Sequence, residues 1–315
     1  MVQNLKDLMV KFSDEQACRD FLVQQRWNGC PVCPYCGSTK WYRIENGKRF
    51  KCGNSECYKK YSVTVGTVFH ATNIPLTTWF PAMYILSAHK KGISSVQLAK
   101  DLGVTQKTAW FMMHRIRESL KDNGSSLLGG TVETDETYVG GKLKNKHKKY
   151  RKDNINKSND NKTTVMAFIS REQGIKVQVL DNRQEIMQSV RDNVSTDARL
   201  ITDEAGAYHH ANKEYANHEV VHHSQNEFVR GDIHTNTVEG FFSHLKRKIY
   251  GIHHFVTAKH LQRYADETAY KYNLRDMNDG ERFTFALSHI EGGLTYKQLV
   301  YGKDNKDSQT KENKG

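Results

Sequence analysis

The spacing of apolar residues changes twice along this chain, and the changes divide it into three segments. Up to about residue 72, an amphipathic run over 15–22 is followed by short β-like runs at Trp41–Ile44, Arg49–Cys52 and 61–65, set among Cys, Gly and Pro. From 73 to 122 the period is helical. Pro81 is placed to open a helix through Met83, Tyr84, Leu86 and Ala88, and Gly92 to end it. Leu98, Ala99 and Leu102 then line one face of a short helix, Gly103 takes the turn, Val104 plugs it, and Ala109, Met112 and Ile116 line the next helix. This order of faces predicts a helix-turn-helix, although a three-helix packing unit that supports a catalytic domain has much the same pattern.

The third segment, 123–300, opens after the linker-like Asp122-Asn-Gly-Ser-Ser. Strand-like runs are predicted at Thr131–Val139, Thr163–Ser170, 175–180 and 199–201, with helices at 184–193 and 237–250. Three hairpin-connected strands followed by helix, strand and helix predict a mixed α/β architecture. The basic stretch after Lys142 reads as a hairpin tip that tracks phosphates, and residues 301–315 have the composition of a disordered tail.

Composition narrows the function. A chain of 315 residues with 47 Lys plus Arg against 35 Asp plus Glu carries +12 and has a pI near 9.3, which favours a polyanionic partner. Mean hydropathy is −0.73, and no run approaches the roughly 18 apolar residues of a membrane span. Asp7 interrupts the N-terminal apolar residues and no small-residue cleavage site follows, so a cytoplasmic location without membrane contact is expected. The 15 His include no H-E-x-x-H spacing, which argues against a zinc protease.

Six Cys, clustered rather than spread, suggest metal rather than disulfides in a reducing compartment. Cys33 and Cys36 form a C-x2-C pair, and Cys52 and Cys57 a C-x4-C pair with 15 residues between the two. Each pair can present two thiolates to one tetrahedral Zn²⁺, which predicts a zinc ribbon over 1–72 with a short N-terminal helix. Cys30 and Cys33 are also spaced C-x2-C. Gly37 favours the Cys33/Cys36 pair because a knuckle needs a tight turn there. In the predicted helix-turn-helix, Thr105, Gln106 and Lys107 begin the second helix and would reach DNA, with His114 and Arg115 one face further on.

Three carboxylates carry the candidate chemistry. Asp135 lies on the first strand, Asp203 just past a later strand and Glu239 on the last helix, where all three can converge at one sheet edge around a divalent ion of the Mg²⁺ class. Alternation puts Glu133 on the Asp135 face, as a group supporting the ligands, and Glu136 on the opposite face. Glu204 is the neighbour and rival of Asp203. Glu239 has a competing role, closing a capping box with Asn236. Lys246 lies seven residues on, nearly two turns, and so shares the face of Glu239 at about 10 Å.

Four motifs, in order, resemble the bacterial insertion-sequence transposases of the DDE class that carry an N-terminal zinc ribbon. They are Cys33-Pro-Tyr-Cys36-Gly with Cys52 and Cys57, Val132-Glu-Thr-Asp-Glu-Thr-Tyr-Val-Gly-Gly, Ile201-Thr-Asp-Glu, and His234-Thr-Asn-Thr-Val-Glu-Gly-Phe-Phe-Ser-His-Leu-Lys-Arg. The resemblance implies an RNase H-like catalytic domain with Asp135, Asp203 and Glu239 as catalytic metal ligands for Mg²⁺ or Mn²⁺. It further implies Lys246, followed by Arg247, as the basic residues of the last helix that grip DNA. Asn236 stays in view, since some related transposases have Asn in place of the last acid. The implied partners are terminal inverted repeats and target DNA, and a homodimer or larger synaptic complex is expected because two ends are handled together.

Overall fold

The structure, a computed structural model, describes residues 2–121, 124, 126–141 and 162–302. The basic stretch 142–161 expected as a hairpin tip, part of the linker 122–126, and the tail from 303 lie outside the described residues. The chain forms two compact units, Met1–Leu120 with the segment from Met277 on, and Lys121–Asp276.

In the first unit, α1 (Leu5–Lys11) and α2 (Glu15–Trp27) start where the Asn4 and Asp14 side chains accept backbone N–H groups of the first turn. A three-stranded antiparallel sheet follows, β1 (Trp41–Ile44), β2 (Arg49–Cys52) and β3 (Lys60–Tyr61), in that order. Next comes α3 (Leu76–Ala88), which begins behind Pro75 rather than at Pro81. Burial explains the earlier start: Leu76, Trp79 and Phe80 precede or flank Pro81 and are all in the core, so packing outweighs the one backbone hydrogen bond that proline forfeits. Then α4 (Ser95–Leu102) and α5 (Gln106–Ser119) are joined as predicted, with Gly103 at φ +64° closing α4 and the Thr105 hydroxyl capping α5.

The second unit starts with β4 (Thr131–Val139), β5 (Thr163–Ser170) and β6 (Gly174–Leu180), an antiparallel meander. It continues with α6 (Ile186–Asn193), β7 (Arg199–Asp203), β8 (His218–Val221), a short hairpin of β9 (Val229–Arg230) and β10 (Ile233–His234), and then α7 (Asn236–Lys248) and α8 (Ala258–Asn273). The strands order as β6-β5-β4-β7-β8, with β7 parallel to both β4 and β8. A helix covers each face. Val132, Met166, Phe168 and Leu200 pack with Ile186 and Val190 of α6, whereas Ala167, Ile169 and Ile175 pack with Val238, Phe241 and Phe242 of α7. This five-stranded mixed sheet flanked by helices is the RNase H-like arrangement. The strand β8 and the helix α8 had no counterpart in the sequence reading.

The chain then returns to the first unit as α9 (Asp279–Ser288) and α10 (Tyr296–Tyr301). Phe283 of α9 meets Phe12 and Phe80 at ring separations of 6.3 and 5.9 Å. Residues from Met277 on therefore group with the first unit, where the sequence predicts a contiguous 123–300 segment.

Candidate active site and metal centres

The register of the sheet places the acidic residues. Pairing of β4 with β7 ends at Glu133 opposite Ile201, so Asp135 and Asp203 each lie two residues beyond it, on the α7 face. The strands no longer pair there, and a gap opens at the carboxyl end of β7. Carboxylate oxygens of Asp135, Glu136 and Asp203 converge to within 4.8 Å of one another. Glu136 points to the α6 face, as alternation requires, yet reaches this group past the end of the pairing. Its carboxylate accepts the hydroxyls of buried Tyr208 at 2.8 Å and of Tyr138 at 3.2 Å.

Burial pushes the Asp135 carboxyl up to about 8, with the charges of Asp203 and Glu136 adding to the effect and that of Glu239 contributing last. Burial also raises Glu136, against the opposing pull of the Tyr208 hydroxyl. Crowded carboxylates that resist ionisation are a donor set suited to a hard divalent cation, whose charge would relieve their repulsion. Glu204 turns elsewhere. It accepts the Ser224 backbone N–H at 2.8 Å and the Ser224 hydroxyl at 2.7 Å, with His222 at 3.5 Å.

Glu239 is not within 4.8 Å of all three, and its side chain is 51% exposed. Among the described residues its side chain meets the Thr235 hydroxyl at 3.3 Å and the His223 ring at 3.7 Å, both long contacts. The expected capping box with Asn236 is absent: Thr235 takes the cap position, Asn236 is the exposed first residue of α7, and the Thr235 hydroxyl serves Glu239 instead of the backbone. On the same helix Lys246 is half-buried, and exposed Arg247 donates to the Ser243 carbonyl at 3.1 Å.

In the ribbon, the sulfurs of Cys33, Cys36, Cys52 and Cys57 also lie within 4.8 Å of one another, with Cys33 to Cys57 at 3.8 Å and Cys36 to Cys52 at 3.5 Å. A tetrahedron with metal–sulfur bonds of about 2.3 Å has sulfur–sulfur edges of roughly 3.8 Å, so four thiolates fit Zn²⁺. The backbone N–H of Ser38 helps to bring Cys36 down to about 7. Cys30 is exposed and outside the group, and Cys18 is buried in α2.

The first turn of α5 leaves Thr105, Gln106 and Lys107 exposed. His114 and Arg115 do not join them. Both are buried, and the Arg115 guanidinium donates to the His70 carbonyl at 2.8 Å while lying 5.7 Å from the Trp79 ring and 5.5 Å from Phe111. The expectation that they face DNA is corrected: the inward face of α5 extends further round the helix than Ala109, Met112 and Ile116 alone suggest.

Comparison with known proteins agrees with this geometry. Residues 127–273 match the ISXO2-like transposase domain, and residues 13–60 the transposase zinc-ribbon domain. The first match ends three residues short of the boundary of the sheet unit at Asp276. An uncharacterized protein in the transposable element ISH50 of Halobacterium salinarum is 26% identical over 260 residues, covering 75% of this chain and 83% of that protein. No solved structure matches the chain significantly. With a transposase zinc ribbon and an ISXO2-like transposase domain in order, and clustered acids at the end of an RNase H-like sheet, the chain carries the domains of a DDE transposase, a family of polynucleotidyl transferases.

Proposed function

We propose that this transposase cleaves DNA at the ends of its element and joins the freed ends to target DNA, using Asp135, Asp203 and Glu239 to hold Mg²⁺ or Mn²⁺. The convergence of Asp135 with Asp203, under enough mutual repulsion to lift Asp135 to about 8, is the observation that carries this reading. When bound, the metal supplies activation of the attacking oxygen and charge stabilisation on the leaving one. Asp135 and Asp203, fixed on adjacent strands, would hold the ion in place. Glu239, half exposed and weakly held, is free to turn toward them and complete the ligand set. Glu136 lends further negative charge from the other face.

Water attacks a backbone phosphorus, the P–O3′ bond breaks and a 3′-OH leaves with a proton from the water; that hydroxyl then attacks a target phosphorus in a second in-line displacement, breaking the target P–O3′ bond and releasing a target 3′-OH that takes up the proton of the attacking hydroxyl. One site serves both steps because each has the same geometry. Thr105, Gln106 and Lys107 at the start of α5 recognise the terminal inverted repeats, and Lys246 with Arg247 holds the DNA backbone beside the acids. A homodimer or larger synaptic complex pairs two ends, acting in the cytoplasm where the DNA lies.

Incubation with a labelled element end, a target plasmid and Mg²⁺ or Mn²⁺ tests the reading. Joined product is expected, and Asp135→Ala, Asp203→Ala or Glu239→Ala should abolish cleavage and joining while end binding persists. Cleavage without joining would make the protein a nuclease, and a gel shift alone would make it a DNA-binding regulator.

A further inference from the structure

Glu133 is on the same face of β4 as Asp135 but is fully buried, and five groups surround its two oxygens. One oxygen accepts from the Arg171 guanidinium through Nε at 3.1 Å and Nη2 at 3.0 Å, and from the Thr237 hydroxyl at 2.9 Å. The other accepts the Thr237 backbone N–H at 3.0 Å, and His234 Nδ1 stands 3.5 Å from the carboxylate. Arg171 also donates to the Asp232 carbonyl at 2.8 Å, so the run into α7 is tied down as well.

Thr237 is the second residue of α7, one of the four whose N–H groups have no partner within the helix. The cap residue Thr235 makes no side-chain bond to that turn. A carboxylate from the neighbouring strand takes over this task, and its charge suits the positive end of the helix. The same helix bears Glu239 two residues later, and the same strand bears Asp135 two residues after Glu133.

We propose that Glu133 is a positioning residue: it locks the start of α7 to β4 and so fixes where Glu239 can meet Asp135 and Asp203. This rests on the reading of Glu239 as the third metal ligand. A carboxylate used only to stabilise the fold would influence Tm without acting through Glu239.

Mn²⁺ binding to the full chain, measured by calorimetry without DNA, separates the possibilities. Glu133→Gln keeps the volume and some of the bonds but sets an NH₂ against either Thr237 or Arg171. Its Mn²⁺ affinity is expected to fall at least tenfold, in the range seen when partners of metal ligands are removed. Glu239→Gln should itself weaken Mn²⁺ binding, and adding Glu133→Gln to it should then change the affinity less than twofold. Should Glu133→Gln fail to fold, Thr237→Val, which removes only the hydroxyl bond, is expected to weaken binding by twofold or more. An affinity within twofold of the parent in the single variant that folds, or an equal loss with and without Glu239, overturns the proposal. If Glu239→Gln leaves both Mn²⁺ binding and DNA cleavage intact, it is instead the ligand assignment of Glu239 that fails.

Discussion

Asn at position 135 cannot ionise, whereas the Asp135 carboxyl is one of three whose oxygens lie within 4.8 Å of one another and is held protonated up to about pH 8 when folded. Repulsion among them is greatest in the folded protein, so Asp135→Asn should abolish strand cleavage and yet raise the Tm of the metal-free protein by several degrees, at roughly 2–4 °C per kcal/mol. A lowered Tm in a calorimetric scan would contradict this. The pH dependence has a definite sign. Asp135 moves from 3.8 in the unfolded chain to about 8 when folded, so between those values the folded state retains a proton that the unfolded chain has released. Metal-free stability should accordingly fall as pH rises from about 4 to about 8 and then level off. Divalent-metal affinity should rise over the upper part of that range, by about tenfold per pH unit for one displaced proton, and flatten above pH 8. A pH-independent affinity between 6 and 8 would rule out the raised carboxyl. Asp135 and Asp203 are legible in the sequence because each ends or interrupts an apolar strand. Glu136 is not, since period-2 alternation assigns it to the far face, and only the end of the β4–β7 pairing shows that it can reach round.

Elements were legible where one physical signal dominated. Runs of β-branched and apolar residues located β4 and β5, and Gly103 between two apolar faces located the turn from α4 to α5. The sequence misled where two signals competed: Pro81 resembles a helix start, and Asn236 with Glu239 resembles a capping box. In both cases tertiary packing decided, through Trp79 and Phe80 in one and Glu133 in the other. His114 and Arg115 fell to the same cause, since charge alone does not say which way a helix faces. At the ribbon, Gly37 favours Cys36 over Cys30 in the sequence, and the fold brings Cys36, not Cys30, to the other three thiols. Cys36→Ser should therefore lose the single zinc per chain while Cys30→Ser retains it, as measured by metal analysis after dialysis. Chelation should unfold β1–β3, because a structural zinc contributes free energy that so small a sheet lacks otherwise.

The whole molecule is assembled from a discontinuous unit with a continuous one inserted in it. The first unit needs α9: Phe283, Ala286 and Leu287 are fully buried, and burial of each Phe or Leu contributes roughly 1.5–3 kcal/mol. Such sums rival the total stability of a domain. A close approach adds to the requirement, since a Cβ at Gly280 would lie 1.7 Å from the Val2 carbonyl oxygen, inside any real contact distance. A chain ended after Asp276 is thus expected to keep the sheet unit folded, with native-like protection of β4 and β5 in hydrogen exchange, while α1–α5 lose protection. Retained protection in α1–α5 would refute the dependence.

That connectivity also sets an order in time. The segment with the ribbon and the helix pair leaves the ribosome first, but α9 follows only after residues 121–276 have been made, roughly 8–30 s later at ordinary rates of synthesis. During that interval the partners of Phe283, among them Phe12 and Phe80, have no cover from α9, and the first unit completes its core only once the sheet unit has been synthesised. A nascent chain stalled within the sheet unit would hold neither a finished first unit nor a complete acidic cluster, so on the proposed function premature products of this chain are poor competitors for DNA.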